Sequence, residues 1–264
     1  MYEPRTGNGR EHDVMHRMLD ALEVPADGTL LLHSSFKQLG LDGYDAVRTV
    51  EALVQRMQPG TLLLPTMSWR YVRPSSPVFS CTETPSNTGV LTEIFRSAYA
   101  QRRSVHPTHS MAACGTNTNY LLGEHHLSGT PCDRSSPTGR LADVDAWVVM
   151  LGIGMDCCTL IHHVEEMQAP DLYVNAAPDD VIYRCVDERG DEYCIELRRH
   201  QFLARDFWQY QDALAHRGQL GVFRCDNALA MGFRARDLVA VVEESLAVDP
   251  GAVLARPGAR YRMM

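Results

Sequence analysis

Three short, unbroken apolar runs constrain this chain more than any other feature. Residues 29–33, 61–64 and 147–151 are almost wholly aliphatic and too short for helices, so each reads as a buried strand. Asp27-Gly28 precedes the first run, Pro59-Gly60 precedes the second, and Pro65 ends it. Strands with no polar face need cover, and the intervening segments supply it. Within residues 44–57, Val47, Val50, Leu53, Val54 and Met57 recur at helical spacing. Helices are also expected over 11–23, 88–98, 159–167, 201–216 and 236–246. Residues 181–186 and 192–197 flank Arg189-Gly190 and read as a β-hairpin. Residues 69–87, rich in Pro, Ser and Thr, read as a long loop of the kind that often carries function. Interleaved strands and helices, with some strands pairing locally, predict an α/β or α+β layered fold around a mixed sheet.

Composition narrows the function classes. A chain of 264 residues can bury a large core without disulfides, and no linker or repeat divides it, so one domain spanning 1–264 is expected. Apolar residues at 45% and charged residues at 22% exclude disorder, collagen and coiled coil. The net charge of −8 argues against a nucleic-acid partner, suits a cationic ligand and aids solubility. Residues 1–13 hold no apolar stretch of a signal peptide, and the run at 147–153 is far shorter than the roughly 20 residues of a membrane span. A cytoplasmic protein with no membrane partner is therefore expected. Its eight cysteines are irregularly spaced without a CxxC pair, which predicts reduced thiols and no structural zinc.

The motifs are individually modest. Gly152-Ile-Gly154 follows a strand, but Cys157 takes the place of a third glycine and no ribose-binding acid follows. A tight turn fits it better than a dinucleotide site. No phosphate loop, GxSxG elbow or HExxH helix is present. In Thr159-Leu-Ile-His162-His163-Val-Glu165-Glu166, His162 and Glu165 are three apart and share a helix face. A carboxylate beside an imidazole fixes its tautomer and suits a general base. HxxE also occurs among di-iron ligands, but those need a second copy. Arg102-Arg103-Ser104-Val-His106-Pro107-Thr-His109-Ser110 is a polar cluster that could hold an anion or form an ordinary turn. His33-Ser34-Ser35 ends the first buried strand, where layered α/β folds often meet ligands.

Taken in order, these segments resemble the aminoglycoside 3-N-acetyltransferase family. The matching set runs from His33-Ser34-Ser35 through Gly40, Gly60-Thr61 through Pro65-Thr66, and Gly89 through Glu93 with Arg96. It continues with Arg103-Ser104-Val-His106-Pro107, Ser110, Gly115, Ser136-Pro137, Leu151-Gly152 through Asp156, and Thr159 through His162 and Glu165. Gly221 through Asn227 and Ala235-Arg-Asp-Leu238 complete it, over roughly residues 10–250. The resemblance implies acetyl transfer from acetyl-CoA to an amine without a metal. It also implies a layered α/β/α fold with a central mixed sheet, distinct from the GNAT fold, whose pyrophosphate loop is missing here. It maps the catalytic histidine to His162, its glutamate to Glu165 and a preceding acid to Asp156. It maps coenzyme A contacts to Ser34, Ser35, Ser104 and His106, with Arg102 or Arg103 near a phosphate.

The acceptor is less constrained. The 69–87 loop looks shorter and less acidic than the acceptor-binding segment of resistance enzymes, with Glu83 its only carboxylate. Glu83, Asp133 and Glu166 are the carboxylates expected to meet a cationic amine. His109, Glu166 and the run Pro107-Thr-His109-Ser110 are closer to members acting on other amines, such as amino sugars. Three readings follow: acetylation of the 3-amino group of a 2-deoxystreptamine aminoglycoside, acylation of another amine, and an inactive coenzyme A-binding homologue. The copresence of His162, Glu165 and Ser104 counts against the third. Direct transfer is expected, while Cys157 and Cys158 near a helix start leave an acetyl-enzyme route open. A homodimer is compatible with these features.

Overall fold

The computed structural model describes residues 9–256, so the ends of the 1–264 span, including the start of the 1–13 segment, lie outside it. The chain opens with α1 (Arg10–Ala21), β1 (Thr29–Ser34), α2 (Lys37–Leu41), α3 (Ala46–Arg56) and β2 (Thr61–Pro65). β3 (Val78–Ser80), α4 (Val90–Ala98), β4 (Arg102–Arg103), β5 (Met111–Gly115) and α5 (Thr118–Leu122) follow. β6 (Trp147–Leu151), α6 (Leu160–Gln168), α7 (Pro170–Tyr173), β7 (Tyr183–Val186) and β8 (Glu192–Ile195) come next. The last elements are α8 (Trp208–His216), β9 (Gly221–Cys225), β10 (Ala228–Arg234) and α9 (Ala235–Val248).

The three apolar runs are neighbours at the centre of one sheet, whose order is β4-β5-β2-β1-β6-β10-β9. β1 runs parallel to β2 and β6, with Leu31 opposite Leu63 and Val148. Antiparallel strands flank this parallel core: β5 and β4 beside β2, β10 and β9 beside β6. The sheet is therefore mixed. Alternate side chains enter opposite layers, as the two-residue period of a strand requires. Leu30, Leu32, Leu62 and Leu64 pack with Met15, Leu19, Leu53 and Phe95 of α1, α3 and α4. Leu31, Leu63, Val148 and Met150 pack with Ile161, Val164, Leu238 and Val242 of α6 and α9. Cover on both faces explains why these strands show no polar alternation.

Local chemistry sets most boundaries. Asp45 caps α3 by accepting the Arg48 N–H at 2.9 Å. The expected hairpin forms as β7 and β8, with Asp187 Oδ1 accepting the Arg189 and Asp191 N–H groups in its turn. Two expectations are corrected. The 69–87 loop contains β3, which pairs parallel to β7 in a separate three-stranded sheet, order β3-β7-β8. The helix expected over 201–216 starts only at Trp208. Residues 201–207 form a strap instead, because their backbone groups bond elsewhere: Gln201 N to Tyr173 O and Asp206 N to Val253 O. Tertiary partners thus override a helical sequence pattern. Among the described residues, no helix is long and apolar enough to cross a membrane.

Gly152 closes the turn after β6 at φ 64°, and a Cβ there would stand 2.6 Å from the Ser35 carbonyl oxygen. Both the left-handed backbone and the close approach demand glycine. Gly152→Ala should destabilise by at least about 1–2 kcal/mol, read as a lower urea midpoint with an unchanged slope. An unchanged midpoint would show that the turn tolerates a side chain.

Candidate active site

The carboxyl ends of the parallel strands open into a cleft of about 910 Å³. His33, Ser34 and Ser35 continue from β1, Pro65 and Met67 from β2, and Ile153, Asp156 and Cys157 from β6. The start of α4 and Trp69, Arg70, Lys37 and His109 form its walls. His162, on the first turns of α6, completes it.

His162 is held from behind. Its Nδ1 lies 2.8 Å from Glu165 Oε2, and Glu165 is fully buried. Arg205 on the strap donates its Nε–H to both Glu165 oxygens, at 2.8 and 3.1 Å, and its Nη1 to the Gln201 and Leu203 carbonyls, at 3.2 Å each. A carboxylate paired with arginine only accepts, so His162 Nδ1 must be the donor. Nε2 is then the basic nitrogen, on a ring that lines the cleft. Phe207 meets this ring edge-on at 5.2 Å between centroids, and His200 lies against it at 4.5 Å. Asp156 is exposed in the turn Met155–Cys157, and among the described contacts it makes none to His162. Glu165 is the carboxylate that orients the histidine.

The expected coenzyme residues divide. Ser34 and Ser35 line the cleft; Arg103, Ser104 and His106 are buried and do not. Arg103 donates to Ser110 Oγ at 3.0 Å and to the carbonyls of Cys81, Thr84 and Thr66 at 3.3, 2.5 and 2.6 Å. Its guanidinium ties the loop after β2 to the segment after β4. Ser104 Oγ accepts the Met111 N–H and meets His125 Nδ1, both at 2.8 Å. His106 Nδ1 accepts the N–H groups of Thr108 and His109, shaping the turn that brings His109 to the cleft. The cations that do line the cleft are Lys37 and Arg70.

None of the three expected acceptor carboxylates lines the cleft either. Glu83 is exposed in the turn after β3. Asp133 closes its own loop by accepting the Ser128 hydroxyl at 2.6 Å and the Ser135 N–H at 2.8 Å. Glu166 is buried, accepting the Thr130 hydroxyl at 2.5 Å and the Cys132 N–H at 2.8 Å, with His200 Nε2 at 2.5 Å. Cys132, Glu166 and His200 offer ligand atoms within 4.8 Å of one another and could hold a metal ion. No local spacing in the sequence marks Arg205, His200, Lys37, Arg70 or Trp69 as site residues.

Residues 31–247 match the family model for aminoglycoside 3-N-acetyltransferases. The chain belongs to this family. It is similar to aminoglycoside N(3)-acetyltransferase IV from Salmonella sp., at 30% identity over 97% of this chain and 94% of the relative. A crystal structure of aminoglycoside acetyltransferase AAC(3)-IVa with apramycin shares 25% identity and a TM-score of 0.71, covering 96% of both chains. An AAC-IIIb binary complex with CoASH, at 20% identity and a TM-score of 0.71 over 94% of this chain and 98% of that one, shares the fold. The layered fold with its central mixed sheet is thus that of these acetyltransferases, a non-GNAT fold.

In this acetyltransferase neither Cys157, which lines the cleft, nor the buried Cys158 is primed as a nucleophile. Desolvation and neighbouring Asp156 push Cys157 up to about 11, and burial pushes Cys158 up to about 12.

Buried histidines make the fold acid-sensitive. Burial holds His33 at about 4 and His125 at about 3, and pushes His106 well below the ordinary range. Unfolded, each takes a proton below about pH 6.5. Their stabilising contribution is therefore complete above that pH and is lost as pH falls toward 3–4. The urea midpoint should drop steeply from about pH 6 to pH 4, each ring adding up to about 1.4 kcal/mol per pH unit. A constant midpoint would show that these rings are charged in the fold. Ser104→Ala should lower stability by about 1–3 kcal/mol and leave the KM for acetyl-CoA unchanged. A raised KM at full stability would return Ser104 to the coenzyme site.

Proposed function

We propose that this protein transfers an acetyl group directly from acetyl-CoA to an amine, with His162 as general base. The observation that carries this reading is the Arg205–Glu165–His162 chain ending at the cleft. An aliphatic amine is mostly protonated near neutral pH, and only its free form attacks a thioester. His162 Nε2 takes the amine's proton as the C–N bond forms and the C–S bond breaks. The departing thiolate then receives that proton from the imidazolium. Backbone N–H groups at the start of α6, or the Thr159 hydroxyl, stabilise the transient oxyanion. The thioester arm is read along Ser34 and Ser35, with the phosphates near Lys37 and Arg70 in place of Arg103, Ser104 and His106. No step draws on a metal.

The acceptor we favour is the 3-amino group of a 2-deoxystreptamine aminoglycoside. The relative that is 30% identical over 97% of this chain is named an aminoglycoside N(3)-acetyltransferase, and a 25%-identical neighbour is in complex with apramycin. Asp156 offers a carboxylate on the cleft, and the net charge of −8 attracts a polycation. A second reading, acylation of a less charged amine such as an amino sugar, is favoured by one observation. Glu83, Asp133 and Glu166 all lie off a lining that includes Lys37 and Arg70.

His162→Ala should lower kcat by roughly 10²–10⁴-fold with little change in KM for acetyl-CoA. His163→Ala should be milder, because His163 Nδ1 faces the Cys132 carbonyl at 2.7 Å rather than the cleft. The reverse order would reassign the base. Thiol release across apramycin, gentamicin, kanamycin and glucosamine separates the acceptors. Turnover of the antibiotics, falling with added salt, supports the first reading; turnover of glucosamine alone supports the second.

A further inference from the structure

A second histidine–carboxylate pair sits one residue along the same helix and does not open onto the cleft. Glu166 and Glu165 are adjacent, so they leave α6 about 100° apart. Glu165 turns to His162 and Arg205; Glu166 turns to Thr130, Cys132 and His200. His200 is drawn in from the strap side, where its backbone bridges to Val174. Its ring lies 4.5 Å from that of His162, tilted by 32°. His109 meets His200 nearly edge-on, at 5.6 Å and 80°. The His162 ring is thus walled by Phe207 and His200 and tethered at Nδ1 by Glu165.

We propose that His200, anchored by Glu166, is a positioning residue: it is the wall that sets the plane of the His162 ring, and Glu166 sets the angle of that wall. One hydrogen bond from Nδ1 fixes where the His162 ring is hinged but leaves its plane free to swing. A ring packed against it removes that freedom, and small displacements of a base cost rate. The groups facing His200 are Glu166, Cys132, His109, His162 and Arg205.

The inference rests on His162 being the base, so His162→Ala is measured beside it. His200→Ala and Glu166→Ala should lower kcat on the order of 10–100-fold, with KM for acetyl-CoA within about twofold. His200→Phe keeps an aromatic wall but loses the Glu166 anchor, so it should recover only part of kcat. Glu166→Gln, whose amide oxygen faces Cys132 N–H and His200 and whose NH₂ faces Thr130, should recover most of it. The acid limb of the kcat–pH profile should move in His200→Ala and not in His200→Phe. If His200→Ala does not fold, His200→Leu takes its place as the variant of similar bulk without an aromatic face.

A wild-type kcat in the non-aromatic variant, or a loss confined to KM, overturns the proposal. So does one zinc per chain in the purified protein together with a lower Tm on chelation, which would make Cys132, Glu166 and His200 a metal site. An active His162→Ala would instead remove the base reading itself.

Discussion

The ion pair between Arg205 and the buried Glu165 carboxylate is the constraint on which the site depends. Glu165 has no exposure, and both its oxygens meet the Arg205 guanidinium. A carboxylate in that setting would be costly without a cation. Pairing them fixes three things at once: the donor state of His162 Nδ1, the path of residues 201–207, and the packing of Phe207 on the His162 ring. The strap is not helical where its pattern favours a helix, because Arg205 and the backbone beside it have partners that a helix would withdraw.

The sheet makes this arrangement available. Parallel strands β1, β2 and β6 end at the same edge, so the turns after them face one space. The helix after β6 starts there and delivers His162 within its first turns. Behind the cleft wall, Arg103, Ser104, His106 and His125 form an internal scaffold of hydrogen bonds and stacked rings. That scaffold brings His109 and the loop carrying Trp69 to the opening. The same residue types that would cradle an anion here brace the walls of the site instead.

Legibility followed range. The three central strands and α3 were readable because an apolar pattern within a few residues decides them. The hairpin of β7 and β8 was readable from Arg189-Gly190 between two runs. The pair of His162 and Glu165 was readable because three residues of helix suffice to place one beside the other. By contrast, β3 is three residues whose strand character comes from pairing with β7 about a hundred residues later. Arg103 and Lys37 look alike as cations near motif positions. Only the fold shows one facing carbonyls and the other facing the cleft.

The sequence by itself determined a two-sided buried sheet, the family resemblance and the histidine–glutamate face of α6. Each is a property of local period or of motif order, and neither needs knowledge of what packs where. The tertiary structure decided that Glu165 rather than Asp156 orients the histidine, and that Arg205 holds it. It also decided that Glu83, Asp133 and Glu166 stand off the cleft. Those outcomes rest on burial and on charge partners, and in a folded chain both are supplied by segments far apart in sequence. Arg205 is 40 residues from Glu165, and no spacing along the chain encodes that meeting.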